Sequence, residues 1–249
     1  MRIVGGRLKR RKLRPPPASA ETRPIPDRVK ESLFNLLRGH FEGATVVDGF
    51  AGTGTIGLEA ISRGATRVIF LERDKRTARV LEQNLTELGV LDKGEIVTAD
   101  ALGPAALARI PQDTHLVFFD PPYAMVRDPG QWPRVRAQFE RLIERLDDTG
   151  FAMLRTPWPA VQLIAAQHDS GPADHQGGPE AAEPLVIDLG SGDEPDDAEL
   201  DAFERELAAA AGVAERVELE LQMRGAEGPE THVYGNTAAH LYMKRGAEG

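Results

Sequence analysis

The sequence predicts a Rossmann-like α/β domain, a mostly parallel sheet with helices on both faces, closed by an antiparallel hairpin. Three observations predict it. Short apolar runs alternate with stretches of helical period from Thr45 to Leu154, the pattern of repeated strand–helix units. A glycine-rich stretch, Asp48 to Gly57, joins the first apolar run to the first of those helices. Carboxylates then follow the next three runs: Glu72, Asp100 and Asp120.

The elements follow in order. Arg2 to Arg7 reads as a short strand ending in a glycine turn. Arg7 to Arg14 carries six basic residues, and Pro15-Pro16-Pro17 stiffens the link beyond them. Asp27 to Leu37 places Val29, Leu33, Phe34 and Leu37 at helical spacing, with Pro26 and Asp27 at its start. Thr45–Asp48 is the first strand, followed by a helix over Thr55–Arg63. Arg67–Glu72 is the second strand, with a helix over Lys75–Leu88. Glu95–Thr98 is the third, with a short helix near Pro104–Arg109. His115–Asp120 is the fourth, with a helix over Trp132–Leu146, and Phe151–Leu154 is the fifth. Glu215–Met223 and His240–Lys244 read as the hairpin. Between them Asp169–Glu183 reads as disordered, Leu185–Ile187 as a brief strand and Asp197–Ala211 as an acidic amphipathic helix. The expected organisation is a basic arm over residues 1–26 and a catalytic domain over 27–249, interrupted by an acidic insertion at about 168–212.

Composition narrows the chemistry. The chain has 249 residues, 41% of them apolar, enough for one large α/β domain with appendages. It has no cysteine, which excludes disulfides, thiolate metal sites and a thiolate nucleophile of the kind cytosine-C5 methylation needs. Six histidines (His40, His115, His168, His175, His232, His240) show no metal-ligand spacing, so no metal is expected. No uncharged apolar run approaches the roughly 20 residues of a membrane span. The basic N-terminus lacks the apolar segment of a secretory signal. A cytoplasmic protein with no membrane partner is expected.

The net charge of −9 is unevenly distributed. His168 to Glu206 holds thirteen acidic residues against Arg205 alone, a net −12, so the remainder carries +3. Residues 1–30 hold ten Lys or Arg against Glu21 and Asp27, a net +8. Such an arm is an electrostatic footprint for phosphate backbones, and equally the composition of a solvated tail.

Gly52, Gly54 and Gly57 fit the spacing of a dinucleotide-binding loop. Asp48 argues against that reading, because its carboxylate would repel a pyrophosphate. A cofactor with an ammonium group and no phosphate suits it better, and S-adenosylmethionine is such a molecule. Glu72, with Arg73 beside it, ends the second strand, where an acid accepts from ribose hydroxyls; the same position also suits a helix-start carboxylate. Asp100 can accept from an adenine amino group, with the Ala101 N–H donating to the ring. The sharpest signal is Asp120-Pro121-Pro122-Tyr123. An exocyclic amino nitrogen is a weak nucleophile until it pyramidalises. Two acceptors, the Asp120 carboxylate and the Pro121 carbonyl, favour that geometry and the developing positive charge. Pro122 helps fix the backbone, and Tyr123 offers a stacking face.

Asp48-Gly-Phe-Ala-Gly-Thr-Gly54, Gly57-Leu-Glu-Ala-Ile-Ser-Arg-Gly-Ala65, the Asp120–Tyr123 turn, Arg2–Arg7, Arg23–Asn35 and Tyr234-Gly-Asn-Thr-Ala238 together resemble the RsmD family. The resemblance covers residues 1–166 and 214–245. It implies a class I S-adenosylmethionine-dependent methyltransferase, its mostly parallel seven-stranded sheet ending in the antiparallel hairpin. The implied reaction is methylation of guanine N2 in 16S ribosomal RNA, at guanine 966, by a monomer acting on the small subunit or its precursor. Asp48, Phe50, Ala51, Gly52, Gly54, Glu72, Arg73, Asp100 and Ala101 would hold the donor, and Asp120 to Tyr123 the base. Arg2, Arg7, Lys9, Arg10, Arg11, Lys12, Arg14, Arg23 and Arg28 would bind the RNA. Ile25 and Pro26 stand where the family carries hydroxyl residues, and the acidic insertion is foreign to it. Alternatives are a methyltransferase for adenine N6 in DNA or for protein glutamine, an NAD-linked oxidoreductase, and a non-catalytic RNA-binding assembly factor.

Overall fold

Strands β1 (Thr45–Gly49), β2 (Arg67–Leu71) and β4 (Thr114–Phe119) are β-branched and aromatic runs buried on both faces, as parallel strands between two helical layers must be. With β3 (Gly94–Val97) they pair in parallel in the spatial order β3-β2-β1-β4. The sheet continues through β5 (Leu146–Pro157), β9 (Thr237–Lys244) and β8 (Ala226–Tyr234), with β9 antiparallel to both neighbours. This is the predicted mostly parallel seven-stranded sheet with its antiparallel hairpin. The computed structural model describes residues 1–17, 26–165 and 214–246. Arg23, Ile25 and the expectations for 168–212 lie outside the described residues.

Alternate side chains divide the core, because successive residues of a strand point to opposite faces. Val46, Val68, Phe70, Leu116 and Phe118 pack against α1 (Asp27–Leu36), α2 (Thr55–Ser62) and α3 (Lys75–Leu88), through residues such as Phe34, Ile61 and Leu81. Val47, Ile69, Val117 and Phe119 pack on the other side with α4 (Pro104–Leu107), α5 (Tyr123–Arg127) and α6 (Trp132–Ile143). Asp74 caps α3 by accepting from the N–H groups of Arg76 and Thr77, and Gly89 ends the helix in the left-handed conformation.

The chain divides into two compact units, Met1–Gln162 with Glu218–Gly249, and Leu163–Val217. β6 (Val161–Ala165) and β7 (Ala214–Glu218) form a separate two-stranded sheet.

Several elements differ from expectation. The hairpin partner of β9 is Ala226–Tyr234 rather than Glu215–Met223. β8 is an edge strand whose residues are mostly exposed, so it lacks an apolar alternation. Its Pro229 sits where the register shifts between Glu227 and Glu230, a position that an edge strand tolerates. The helix expected over Trp132–Leu146 ends at Ile143, and Leu146 already pairs with Thr114. Arg2 to Arg7 is no regular strand; Arg2 forms an isolated bridge with Lys12.

That N-terminal segment is docked. Ile3 and Leu13 are buried. Glu59 Oε2 accepts from the Val4 N–H at 2.7 Å. Ser62 Oγ donates to the Gly5 carbonyl at 2.6 Å and accepts from the Leu8 N–H at 2.9 Å. Asn84 Oδ1 accepts from the Arg14 N–H at 2.8 Å, while its Nδ2 donates to the Thr53 carbonyl at 3.0 Å. One buried amide therefore ties the basic segment to the glycine loop.

His40 and His115 also meet. His40 Nδ1 lies 3.0 Å from His115 Nε2, and His115 Nδ1 lies 2.8 Å from Asp147 Oδ2. Among the described residues no group of side chains forms a metal site.

Candidate active site

The carboxyl ends of β1, β2 and β4 lie together because Gly49 pairs with Leu71 on one side and Phe119 on the other. The next residue of each strand, Phe50, Glu72 and Asp120, therefore emerges along one edge. The chain must turn sharply there. Phe50, Gly52 and Gly54 all have positive φ (64°, 56° and 85°). A non-glycine residue in this region stores about 1–3 kcal/mol, a cost found most often at functional sites. The Ala51 N–H donates to the Leu71 carbonyl at 2.9 Å and pins the loop to β2.

Asp48 is 2% exposed. Its Oδ2 accepts from the Gly57 N–H at 2.7 Å, fastening β1 to the first turn of α2. Burial pushes this carboxyl well above the usual carboxylate range, with Asp120 and Glu72 nearby adding to the rise. Glu72 serves the same loop. Its Oε2 accepts from the Gly52 N–H at 2.9 Å and its Oε1 from the Asp74 N–H at 2.7 Å. Burial raises its pKa, against the two backbone bonds. Glu72 therefore shapes the glycine loop as well as facing the edge.

Ala51 is buried, Phe50 half-buried and Arg73 exposed. Asp100 is exposed on the loop after β3. Its Oδ1 accepts from the Leu102 N–H at 3.0 Å, and its Oδ2 lies 3.9 Å from Arg134. Ala101 is buried, and its carbonyl accepts from Gln138 Nε2 at 2.9 Å. The donor set suits an ammonium group and ribose hydroxyls. A pyrophosphate in this loop would lie against Asp48 and Glu72.

At the end of β4 the Asp120 N–H donates to the Gly49 carbonyl at 3.3 Å, holding the turn against the glycine loop. Pro122 caps α5, so Tyr123 is its first residue. The Tyr123 hydroxyl donates to Thr237 Oγ1 at 2.7 Å, and Thr237 Oγ1 donates to the Thr156 carbonyl at 3.2 Å. Asp120 Oδ1 accepts from Arg155 Nε at 2.6 Å, and the Arg155 guanidinium carbon lies 5.4 Å from the Tyr123 ring centroid.

A family model described as "Conserved hypothetical protein 95" matches residues 1–144. The chain belongs to this family, the RsmD family. Ribosomal RNA small subunit methyltransferase D of Haemophilus influenzae is 40% identical over 124 residues, which is 49% of this chain and 64% of that protein. The Escherichia coli K12 protein of the same name is 36% identical over 151 residues, 61% of this chain and 69% of that one. Among solved structures, the Escherichia coli protein yhhF matches with a TM-score of 0.62 at 23% identity, covering 98% of both chains. A Streptococcus pyogenes protein matches at 0.54 and 17%, covering 88% of this chain and 98% of that one. Both share the fold.

In this RsmD-family chain the basic residues are not equivalent. Arg2 pairs with Asp27 at 2.7 Å, Arg14 pairs with Glu87, and Arg11 donates to the Glu87 carbonyl at 2.9 Å. Arg7, Lys9, Arg10, Lys12 and Arg28 are exposed. Sequence reasoning missed Arg155 and Thr237 as parts of the site. The rule that selected the acids would have found Arg155, a charge directly after the apolar run Phe151–Leu154.

Behind Thr156 lies His240, fully buried in the sheet. Its Nε2 is 2.8 Å from Thr156 Oγ1 and its Nδ1 is 2.9 Å from Thr231 Oγ1. The Thr156 hydroxyl donates to the Pro157 carbonyl, so it accepts from Nε2–H and leaves Nδ1 to accept from Thr231. Burial pushes this imidazole from 6.5 down to about 4. The unfolded chain takes up that proton first as pH falls, so the contribution of His240 to stability is intact above pH 6.5 and lost towards pH 4. Measured against His240→Gln by denaturant unfolding, the wild type should lose about 3 kcal/mol across that window. A difference that does not change with pH would mean that the folded imidazole is already charged.

Proposed function

We propose that this chain transfers a methyl group from S-adenosylmethionine to the exocyclic N2 of a guanine in small-subunit (16S) ribosomal RNA, working as a cytoplasmic monomer. The observation that carries this reading is the juxtaposition of two turns on paired strands. The glycine loop follows β1, the Asp120–Tyr123 turn follows β4, and Gly49 lies opposite Phe119 between them. The two relatives named above as small-subunit RNA methyltransferases support the substrate.

Asp48, Glu72, Asp100 and the backbone of Phe50 to Gly54 would hold the donor, which when bound supplies an electrophilic methyl group. Asp120 and the Pro121 carbonyl accept from the two N–H bonds of the target nitrogen and favour its pyramidal form. As that nitrogen gains its bond to carbon it must lose a proton, and Asp120 is the acceptor in place. Tyr123 stacks on the base, which has to be looped or flipped to expose N2.

The deciding experiment is transfer of labelled methyl from S-adenosylmethionine to small subunits lacking the modification, followed by nucleoside analysis. N2-methylguanosine at one site is the expected product. Methyl on DNA adenine or protein glutamine, with none on ribosomal RNA, would move the reading to another acceptor. Bound donor and RNA without transfer would leave a non-catalytic assembly factor. Binding should also weaken steeply with salt. Replacing Arg7, Lys9 and Lys12 by glutamine should reduce the log–log salt slope by about 2; an unchanged slope would remove these residues from the RNA contact.

A further inference from the structure

Arg155 touches both residues assigned to the target base. It stands in β5, two residues before the strand ends and directly after Leu154, which pairs with Phe119 beside Asp120. Its Nε–H donates to Asp120 Oδ1 at 2.6 Å, and the two side chains are only 8% and 17% exposed. The same guanidinium lies over the Tyr123 ring at 5.4 Å, while Thr237 holds the Tyr123 hydroxyl. Both contacts constrain orientation. An aspartate carboxylate is free to turn about its last bond unless a directional donor fixes it, and a planar guanidinium is such a donor where an ammonium is not. A cation over one face of an aromatic ring steadies that ring.

We propose that Arg155 is a positioning residue for methyl transfer: it takes Asp120 Oδ1 so that Oδ2 faces the target amino group. The inference rests on the methyltransferase reading. Its effect belongs to the transition state, because misaligned acceptors cost rate more than binding.

The test is steady-state methyl transfer to small subunits lacking the modification, with donor affinity measured in parallel. Arg155→Met should lower kcat by about 10²-fold, leaving the KM for RNA and the affinity for S-adenosylmethionine within about threefold. Arg155→Lys keeps the charge but not the fork, and should recover less than about tenfold of that loss. Because Arg155 acts through Asp120, Arg155→Met should cost less than about twofold when added to Asp120→Ala. Three results would overturn the proposal: an unchanged kcat in Arg155→Met, an equal loss in the Asp120→Ala background, or a parallel collapse of donor affinity in both Arg155 variants. If the wild type transfers no methyl group to RNA, the functional reading fails and the proposal fails with it. Turnover by the wild type with no effect of Arg155 would remove the proposal alone.

Discussion

Asp120→Ala should lower methyl transfer by about 10³-fold, the scale on which a preoriented polar group at the reacting centre counts, while S-adenosylmethionine still binds. Donor binding survives because the Asp120 contacts lie elsewhere. Its N–H reaches the Gly49 carbonyl and its Oδ1 reaches Arg155, whereas the glycine loop is held by Asp48 and Glu72. The substitution also removes the carboxylate that Arg155, an 8% exposed cation, meets at 2.6 Å, and so should destabilise the fold by up to about 3 kcal/mol. Adding Arg155→Met removes the other charge of that pair. The double variant should regain thermal stability and remain as inactive as Asp120→Ala. Turnover in Asp120→Ala within tenfold of wild type would remove Asp120 from the chemistry. Loss of donor binding in the double variant would assign it to the cofactor site.

A large loss of stability is expected from Gly57→Val. A Cβ at Gly57 would lie 2.2 Å from Phe70 Cε1 and 2.8 Å from Val68 Cγ1. Both neighbours are fully buried, so neither can swing into solvent. Glycine is needed here because α2 must approach β2 closely enough for the Gly57 N–H to reach Asp48 Oδ2. Overpacking of this kind costs about 3 kcal/mol, a fall in Tm on the order of 10 °C for a chain of this size. Donor affinity should fall too, since the displaced helix begins at the glycine loop. Replacing Phe70 by leucine in the same chain should restore part of the Tm. A melting curve for Gly57→Val that overlays the wild type would mean that α2 is free to move away from the sheet.

The strands under helices on both faces were legible because burial on both sides demands near-continuous apolar runs, and Val46-Val47, Val68–Leu71 and Leu116–Phe119 are such runs. β8 was not, since an edge strand facing water shows no apolar alternation. Charge made the N-terminal segment stand out, but Ile3 and Leu13, which anchor it, are two apolar residues with no period between them. The acids at the strand ends were legible by position alone. What joins them was not. His40 meets His115 across 75 residues of sequence, Arg155 meets Asp120 across 35, and Tyr123 meets Thr237 across 114. Those pairs depend on strand order, and local pattern carries no information about which strand ends as a neighbour of which.

Strand order has a consequence for biosynthesis. β9 is the last strand in sequence, yet it lies inside the sheet between β5 and β8. Until translation has passed Lys244, the β5 edge of a nascent chain has no native partner and Tyr123 has no Thr237 to hold its hydroxyl. The glycine loop needs only residues made long before. The Asp48–Gly57 loop can therefore form on the ribosome ahead of the Tyr123–Thr237 contact, and on the function proposed above the half of the site that takes the base is completed last.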